Sequence, residues 1–270
     1  MELSEEIRRD LIYITFRFFK NKLNGINGEV KMLDAMHRDI NILGNYWNGI
    51  LASTSSAFKF SIDSYFIHQT PKVSYTGIKK TSIEFGDVLY LYTETDNKNN
   101  KRENALLMQA KVYENKKVDA HQLTLYTDWP TFWFHTQNIH TSSFNVVSTP
   151  HPHLGGRYLL LDDSAKNKEF ASTVTPRQGM KANHQPDSYL ERELVGLLEF
   201  SNGRELLGDW GTAIKAVENK VKANGKTFRG TLRRQPLFYT LNNKSETSPT
   251  PNSPKGFWFV HIQANTPFPG

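Results

Sequence analysis

Two apolar stretches flanking a polar one constrain this chain more than any other feature. Val88-Leu-Tyr-Leu-Tyr-Thr93 and Asn104-Ala-Leu-Leu-Met-Gln-Ala-Lys-Val-Tyr113 are rich in residues that suit a pleated, buried surface. Between them Thr95-Asp-Asn-Lys-Asn-Asn-Lys-Arg-Glu103 is polar and turn-forming. The pattern predicts an antiparallel hairpin with residues 96–102 as its turn, and that turn sets Asp87 opposite Lys111. Side chains alternate faces along a strand, so Gln109 and Lys111 project from one side.

Around this hairpin the hydrophobic period is helical at first. Ser4 can cap a helix running to Lys22, with Glu5 and Glu6 in its first turn, and Leu11, Ile14 and Phe18 on one face. Asn24-Gly25 closes it. A second helix is expected from Glu29 to about Leu43. Ser55 to Thr70 and Val73 to Ile83 read as extended. A short helix over Asp119–Trp129 ends at Pro130, and Arg157–Asp162 reads as a strand. Glu191–Phe200 and Arg204–Ala223 read as helices, Asn242–Lys255 as a loop and Phe257–Ile262 as a closing strand. This order predicts one mixed α/β domain over 1–270. Its core spans about 73–165, with a helical region at 1–50 and a helical, basic region at 185–270.

Composition narrows the chemistry. The 270 residues contain no cysteine, which excludes disulfides, thiolate metal sites and a cysteine nucleophile. A net charge of +6 suits an anionic partner. No apolar run approaches the roughly 18 residues of a membrane span, and the acidic start shows no signal peptide, so a cytoplasmic location without membrane contact is the expectation.

An acid, an amide oxygen and a lysine meeting at one sheet end provide what phosphodiester hydrolysis needs. Oxygen ligands hold a hard divalent cation, and the ammonium group offsets negative charge developing on the phosphoryl oxygens. Ile83-Glu-Phe-Gly-Asp87 followed by Leu106-Leu-Met-Gln-Ala-Lys111 resembles the PD-(D/E)XK nuclease superfamily, in the variant where Gln replaces the first acid of the last motif, as in Mrr-type restriction endonucleases. The resemblance covers about 50 residues. It implies a restriction-endonuclease-like core and places Asp87, Gln109 and Lys111 in the catalytic set. It also implies Mg2+ or Mn2+ held by Asp87, Gln109 and the Ala110 carbonyl, with Glu84 assisting, or more weakly Glu5 or Glu6. Gly86 stands where the family often has proline. The implied activity is cleavage of DNA, endonucleolytic rather than exonucleolytic, in defence against foreign DNA. A homo-oligomer or a defence-system partner protein fits the same picture.

Gln122-Leu-Thr-Leu-Tyr126 places Gln122 and Tyr126 one helical turn apart. This Q-x-x-x-Y resembles a RecB-type motif in the same superfamily, which implies that both residues line the nucleic-acid side. Trp129 to Trp133 form an aromatic cluster that reads first as core and second as a base-stacking surface. The basic stretch carrying Lys215, Lys220, Lys222, Lys226, Arg229, Arg233 and Arg234 is expected to face the same groove as Asp87 and to bind phosphates. Lys79 and Lys80 are further candidates at its flank.

Other patterns lead nowhere. Asn224-Gly-Lys-Thr227 lacks the first glycine of a phosphate-binding loop, His151-Pro-His153 reads as a surface loop, and His135 and His140 are poorly spaced for one helix face. Two alternatives stay open. One is a catalytically inactive nuclease fold serving as a DNA-binding or assembly subunit. The other is an ordinary hairpin on which Asp87, Gln109 and Lys111 point apart.

Overall fold

The computed structural model describes residues 1–53, 58–78, 82–113, 118–135, 139–146, 153–164, 171–180, 185–228 and 256–265. In chain order the elements are α1 (Glu5–Leu23), α2 (Glu29–His37), α3 (Asn41–Ser53), β1 (Lys59–Ile67), β2 (Lys72–Tyr75), β3 (Ile83–Glu84), β4 (Val88–Thr95) and β5 (Lys101–Val112). Then follow α4 (Ala120–Asp128), β6 (Phe132–Phe134), β7 (Ser143–Phe144), β8 (Gly156–Leu161), β9 (Ala171–Val174) and β10 (Ser188–Tyr189). The last are α5 (Leu190–Leu198), β11 (Arg204–Glu205), α6 (Gly208–Asn224), β12 (Lys226–Phe228) and β13 (Phe257–Asn265). Six helices among the described residues pack around a large mixed sheet, so the chain is mixed α/β.

The large sheet runs β10-β9-β8-β5-β4-β13-β1-β12, with β11 added on β5. β13 lies inside it, parallel to β4 and antiparallel to β1. Its near-continuous buried run, Phe257 to Ile262, is what a strand covered on both faces requires. The sheet is therefore wider than the expected 73–165 core, because residues 257–265 supply the strand beside β4 and residues 59–67 the strand after it. A smaller sheet, β3-β2-β6-β7, stands on one side.

The sheet separates two apolar layers. Leu11, Phe18, Met36 and Trp47 pack on Val88, Tyr90 and Met108. On the other face Tyr126, Trp129, Trp210 and Val217 pack on Leu89, Leu107 and Tyr158. α1 begins as expected, with the Ile7 N–H donating to Ser4 Oγ at 3.3 Å. The single helix expected over 29–43 is instead two. Short turns at Ile40→His37 and Ile42→Asp39 break it, and Asp39 is held to Lys22 of α1 at 2.8 Å. The helix expected from Arg204 starts at Gly208, because Arg204 and Glu205 pair with β5 instead.

The hairpin differs from expectation in one consequential detail. Val88 pairs with Met108 and Thr95 with Lys101, so the turn is residues 96–100 and not 96–102. Asp96 tightens it by accepting from the N–H groups of Lys98 and Asn100, both at 2.8 Å, while Asn99 takes the left-handed conformation. Continuing the register sets Asp87 opposite Gln109. Lys111 lies one pleat further on.

Candidate active site

Asp87 sits where β4 enters the sheet. Its N–H donates to the Met108 carbonyl at 2.8 Å, and its own carbonyl accepts from Trp258 of β13 at 3.0 Å. The backbone is thus fixed from both neighbouring strands. Asp87, Leu89 and Leu91 alternate onto the face of α4, as do Leu107, Gln109 and Lys111 of β5. The three residues singled out from the sequence therefore share one face. Asp87 and Gln109 are in direct contact, and the charge of Lys111 acts on Asp87.

Asp87 is buried, at 6% exposure. Its Oδ2 accepts from the Gln109 side-chain amide and from the Ala110 N–H at 2.7 Å. Gln109 Oε1 in turn accepts from Gln122 Nε2 at 3.1 Å. The result is a buried chain, Gln122 to Gln109 to Asp87, on the inner side of α4. Burial pushes the Asp87 carboxyl up to about 7. Lys111 and the Ala110 N–H pull it down, and the carboxylates of Glu29 and Glu84 push it further up.

Glu29 was not among the expected site residues. It opens α2 and acts on Asp87 from a distant part of the sequence, whereas Glu5, one of the two weaker helical candidates with Glu6, pairs with Arg8 at 2.5 Å. An acid in the first turn of a helix is so common a dipole complement that nothing in the sequence marks Glu29.

α4 forms where the sequence indicates. Asp119 caps it by accepting from His121 and Gln122 N–H at 2.9 and 3.2 Å, and Trp129 ends it in the left-handed conformation before Pro130. Gln122 faces the site. Tyr126 does not line a nucleic-acid surface, contrary to expectation. It is fully buried and donates to the Phe85 carbonyl at 2.9 Å, which holds the segment just before Asp87. Gly86 fits closely there, since a Cβ would lie 2.7 Å from Leu107 Cδ1 and 2.9 Å from the Tyr126 hydroxyl, and those side chains would have to shift. Trp129 and Phe132 are core, and Trp133 is 37% exposed.

Lys215 and Lys222 of the basic stretch are paired with acids elsewhere on the sheet. Lys215 donates to Glu103 and Glu218 at 2.6 and 2.8 Å, and Lys222 donates to Glu218 at 2.7 Å. Lys222 also meets His261 Nδ1 at 3.1 Å, His261 Nε2 meets Thr93 Oγ1 at 2.9 Å, and Thr93 donates to Glu103 at 3.0 Å. Six side chains thus close a ring. Because Thr93 gives its proton to Glu103, His261 must be the Nε2–H tautomer, accepting from Lys222 at Nδ1. Burial and the facing Lys222 hold its imidazole down at about 4. Thr93 is six residues along β4 from Asp87, or about 20 Å. Arg229, Arg233, Arg234, Lys79 and Lys80 lie outside the described residues. His153, expected in a surface loop, is buried and stacked on Trp129 at 4.3 Å, and His151 lies outside the described residues.

The donor set suits a hard cation. The carboxylates of Asp87, Glu29 and Glu84, the Gln109 amide oxygen and the Ala110 carbonyl are all oxygen ligands of the kind Mg2+ or Mn2+ takes. Strand geometry sends a residue's N–H and C=O to the same side, so the Ala110 carbonyl is directed towards the β4 side, as its N–H is. Positive charge opposes both the burial and the neighbouring acids that together raise Asp87. Among the described residues no three His, Asp or Glu side chains form a metal cage by themselves.

No helix among the described residues is long and apolar enough to cross a membrane. Comparison with protein-family models, with curated proteins and with solved structures gave no match to this chain.

Proposed function

We propose that the protein is a divalent-metal-dependent deoxyribonuclease with a restriction-endonuclease-like core, acting in the cytoplasm in defence against foreign DNA. One observation carries the reading. A buried carboxyl raised to about 7 lies opposite Gln109 and shares its face with Lys111, at the open end of a hairpin followed by a helix and a parallel strand.

Asp87, Gln109 and the Ala110 carbonyl would hold Mg2+ or Mn2+, with Glu84 and Glu29 adding negative charge. When bound, the cation supplies a Lewis acid for the phosphoryl group and favours deprotonation of water. Lys111, whose charge acts on Asp87, would stabilise charge building on the phosphoryl oxygens as the ester bond breaks. Gln109 contributes its oxygen by turning its amide over. Gln122, itself an amide, can turn with it and keep the pair hydrogen-bonded.

The test is cleavage of plasmid DNA by the full chain with Mg2+ or Mn2+, and its loss in Asp87→Ala. A second reading, a DNA-binding or assembly subunit, is favoured by the Gln109 amide N–H occupying Asp87. DNA binding without cleavage in either metal would select it.

A further inference from the structure

Of the five tryptophans, four are buried to 2% exposure or less, and Trp133 alone reaches solvent, at 37%. It is the middle residue of β6. Phe132 and Phe134 on either side of it enter the core, so the alternation of the strand sends the indole to the outer face of the small sheet. Its cross-strand neighbours there are Ser74 of β2 and Ser143 of β7, both too short to cover an indole.

The same face leads to the candidate site. Lys72 lies two residues from Ser74 on β2, with the core residue Val73 between them, so it shares the face of Trp133 and is exposed. Lys72 is in register with Glu84 of β3, whose charge acts on Asp87. With strands about 4.8 Å apart and a rise of about 3.4 Å per residue, Trp133 stands on the order of 12 Å from Glu84. One strand of duplex DNA advances about 3.4 Å per nucleotide, so that span is a few nucleotides.

A single exposed apolar side chain is ordinary on a protein surface. The surroundings of this one are what matter. Ser74, Ser143, Lys72 and Glu84 are polar, so the ring is isolated and far short of the several hundred Å² of contiguous apolar surface that marks a protein-docking patch. It matches one planar base instead, and Lys72 beside it matches a phosphate.

We infer that Trp133 is a stacking platform for an unpaired base of DNA held at the candidate site, and that the substrate carries a single-stranded segment beside the bond that is cut. The inference rests on the nuclease reading above. Inside an intact duplex each base is covered on both faces by its neighbours, so the indole finds a free face only on a base outside the stack. Every base has such a face, so the preference is for strandedness and not for sequence.

The experiment follows tryptophan fluorescence of the full chain in EDTA, which stops metal-dependent cleavage. Because the other four tryptophans are buried, single-stranded oligo-dT should quench the wild type through Trp133, and a blunt-ended duplex should not. Trp133→Ala should bind the single strand roughly 5- to 100-fold more weakly and the duplex within about twofold of the wild type. Its melting temperature should be unaltered, since the indole lies outside the core. Trp133→Phe, which keeps a smaller ring, should recover part of the affinity. Oligo-dT that binds without quenching, or an equal loss for both DNAs, would overturn the platform and leave the nuclease reading intact. Self-association of the wild type that Trp133→Ala abolishes would assign the ring to a second copy of the chain and overturn it likewise. Quenching by a protein that cuts no DNA in Mg2+ or Mn2+ would overturn the nuclease reading and leave the stacking role. A wild type that binds neither DNA overturns both.

Discussion

Gln109 lies opposite Asp87 across the β4–β5 ladder and turns its amide N–H, not its oxygen, towards the carboxylate. The glutamine is therefore a neutral clamp on one carboxylate oxygen. A glutamate in the same place would face Asp87 as a second negative charge.

That relationship predicts the outcome of Gln109→Glu. Without divalent metal the two carboxylates repel, and the variant should be less stable than the wild type by about 1–3 kcal/mol. With metal it should gain affinity and recover stability. Gln109→Ala should weaken metal binding and leave Asp87 with one donor fewer. Thermal melting with and without Mg2+, together with calorimetric titration of Mn2+, measures both effects.

Asp87 predicts a pH dependence whose sign is fixed by its raised pKa. The folded protein holds this proton up to about pH 7, whereas the unfolded chain releases it near 3.8. The stabilisation is complete below the lower value and is lost as pH rises through the higher one. Metal-free wild type should therefore lose stability between about pH 4 and 7 relative to Asp87→Asn. Metal affinity should rise over the upper part of the same range, because the cation competes with that proton. Melting curves across pH for the two proteins decide the matter. Parallel curves would mean that Asp87 ionises normally.

The structure also revises what Tyr126 should do. Its hydroxyl ties α4 to the Phe85 carbonyl, so Tyr126→Phe should cost about 1 kcal/mol of stability and affect cleavage only through that loss. Gly86→Ala should be worse, since a methyl group there meets Leu107 and the same hydroxyl. Urea denaturation of both variants gives the ranking.

The hairpin, a short helix ending before Pro130 and the shared face of Gln109 and Lys111 were all legible in the sequence, because each follows from short-range periodicity and from proline ending a helix. The register was not. Asp96 and Asn99 close a turn two residues shorter than its polar composition suggests, which moves the partner of Asp87 from Lys111 to Gln109. Glu29 was hidden for another reason, since it approaches Asp87 only through the packing of α2 at the sheet. Lys215 misled through composition. Its charge reads as phosphate-binding until Glu103 and Glu218, one of them 112 residues away, are seen to pair with it.

The ring around Lys215 has its own consequence. Lys215→Met should leave DNA affinity and its salt dependence unaltered and lower stability by about 1 kcal/mol, the lysine being partly solvent-screened. A reduced salt slope would return Lys215 to the DNA surface.

The most direct measurement is cleavage of supercoiled DNA by wild type, Asp87→Ala and Lys111→Ala, at matched protein concentration with Mg2+, Mn2+ or EDTA. The account predicts metal-dependent cutting by the wild type and none by either variant, with all three folded by circular dichroism. Undiminished cutting by both variants would contradict the assigned site, and a wild type that binds DNA but never cuts it would contradict the activity.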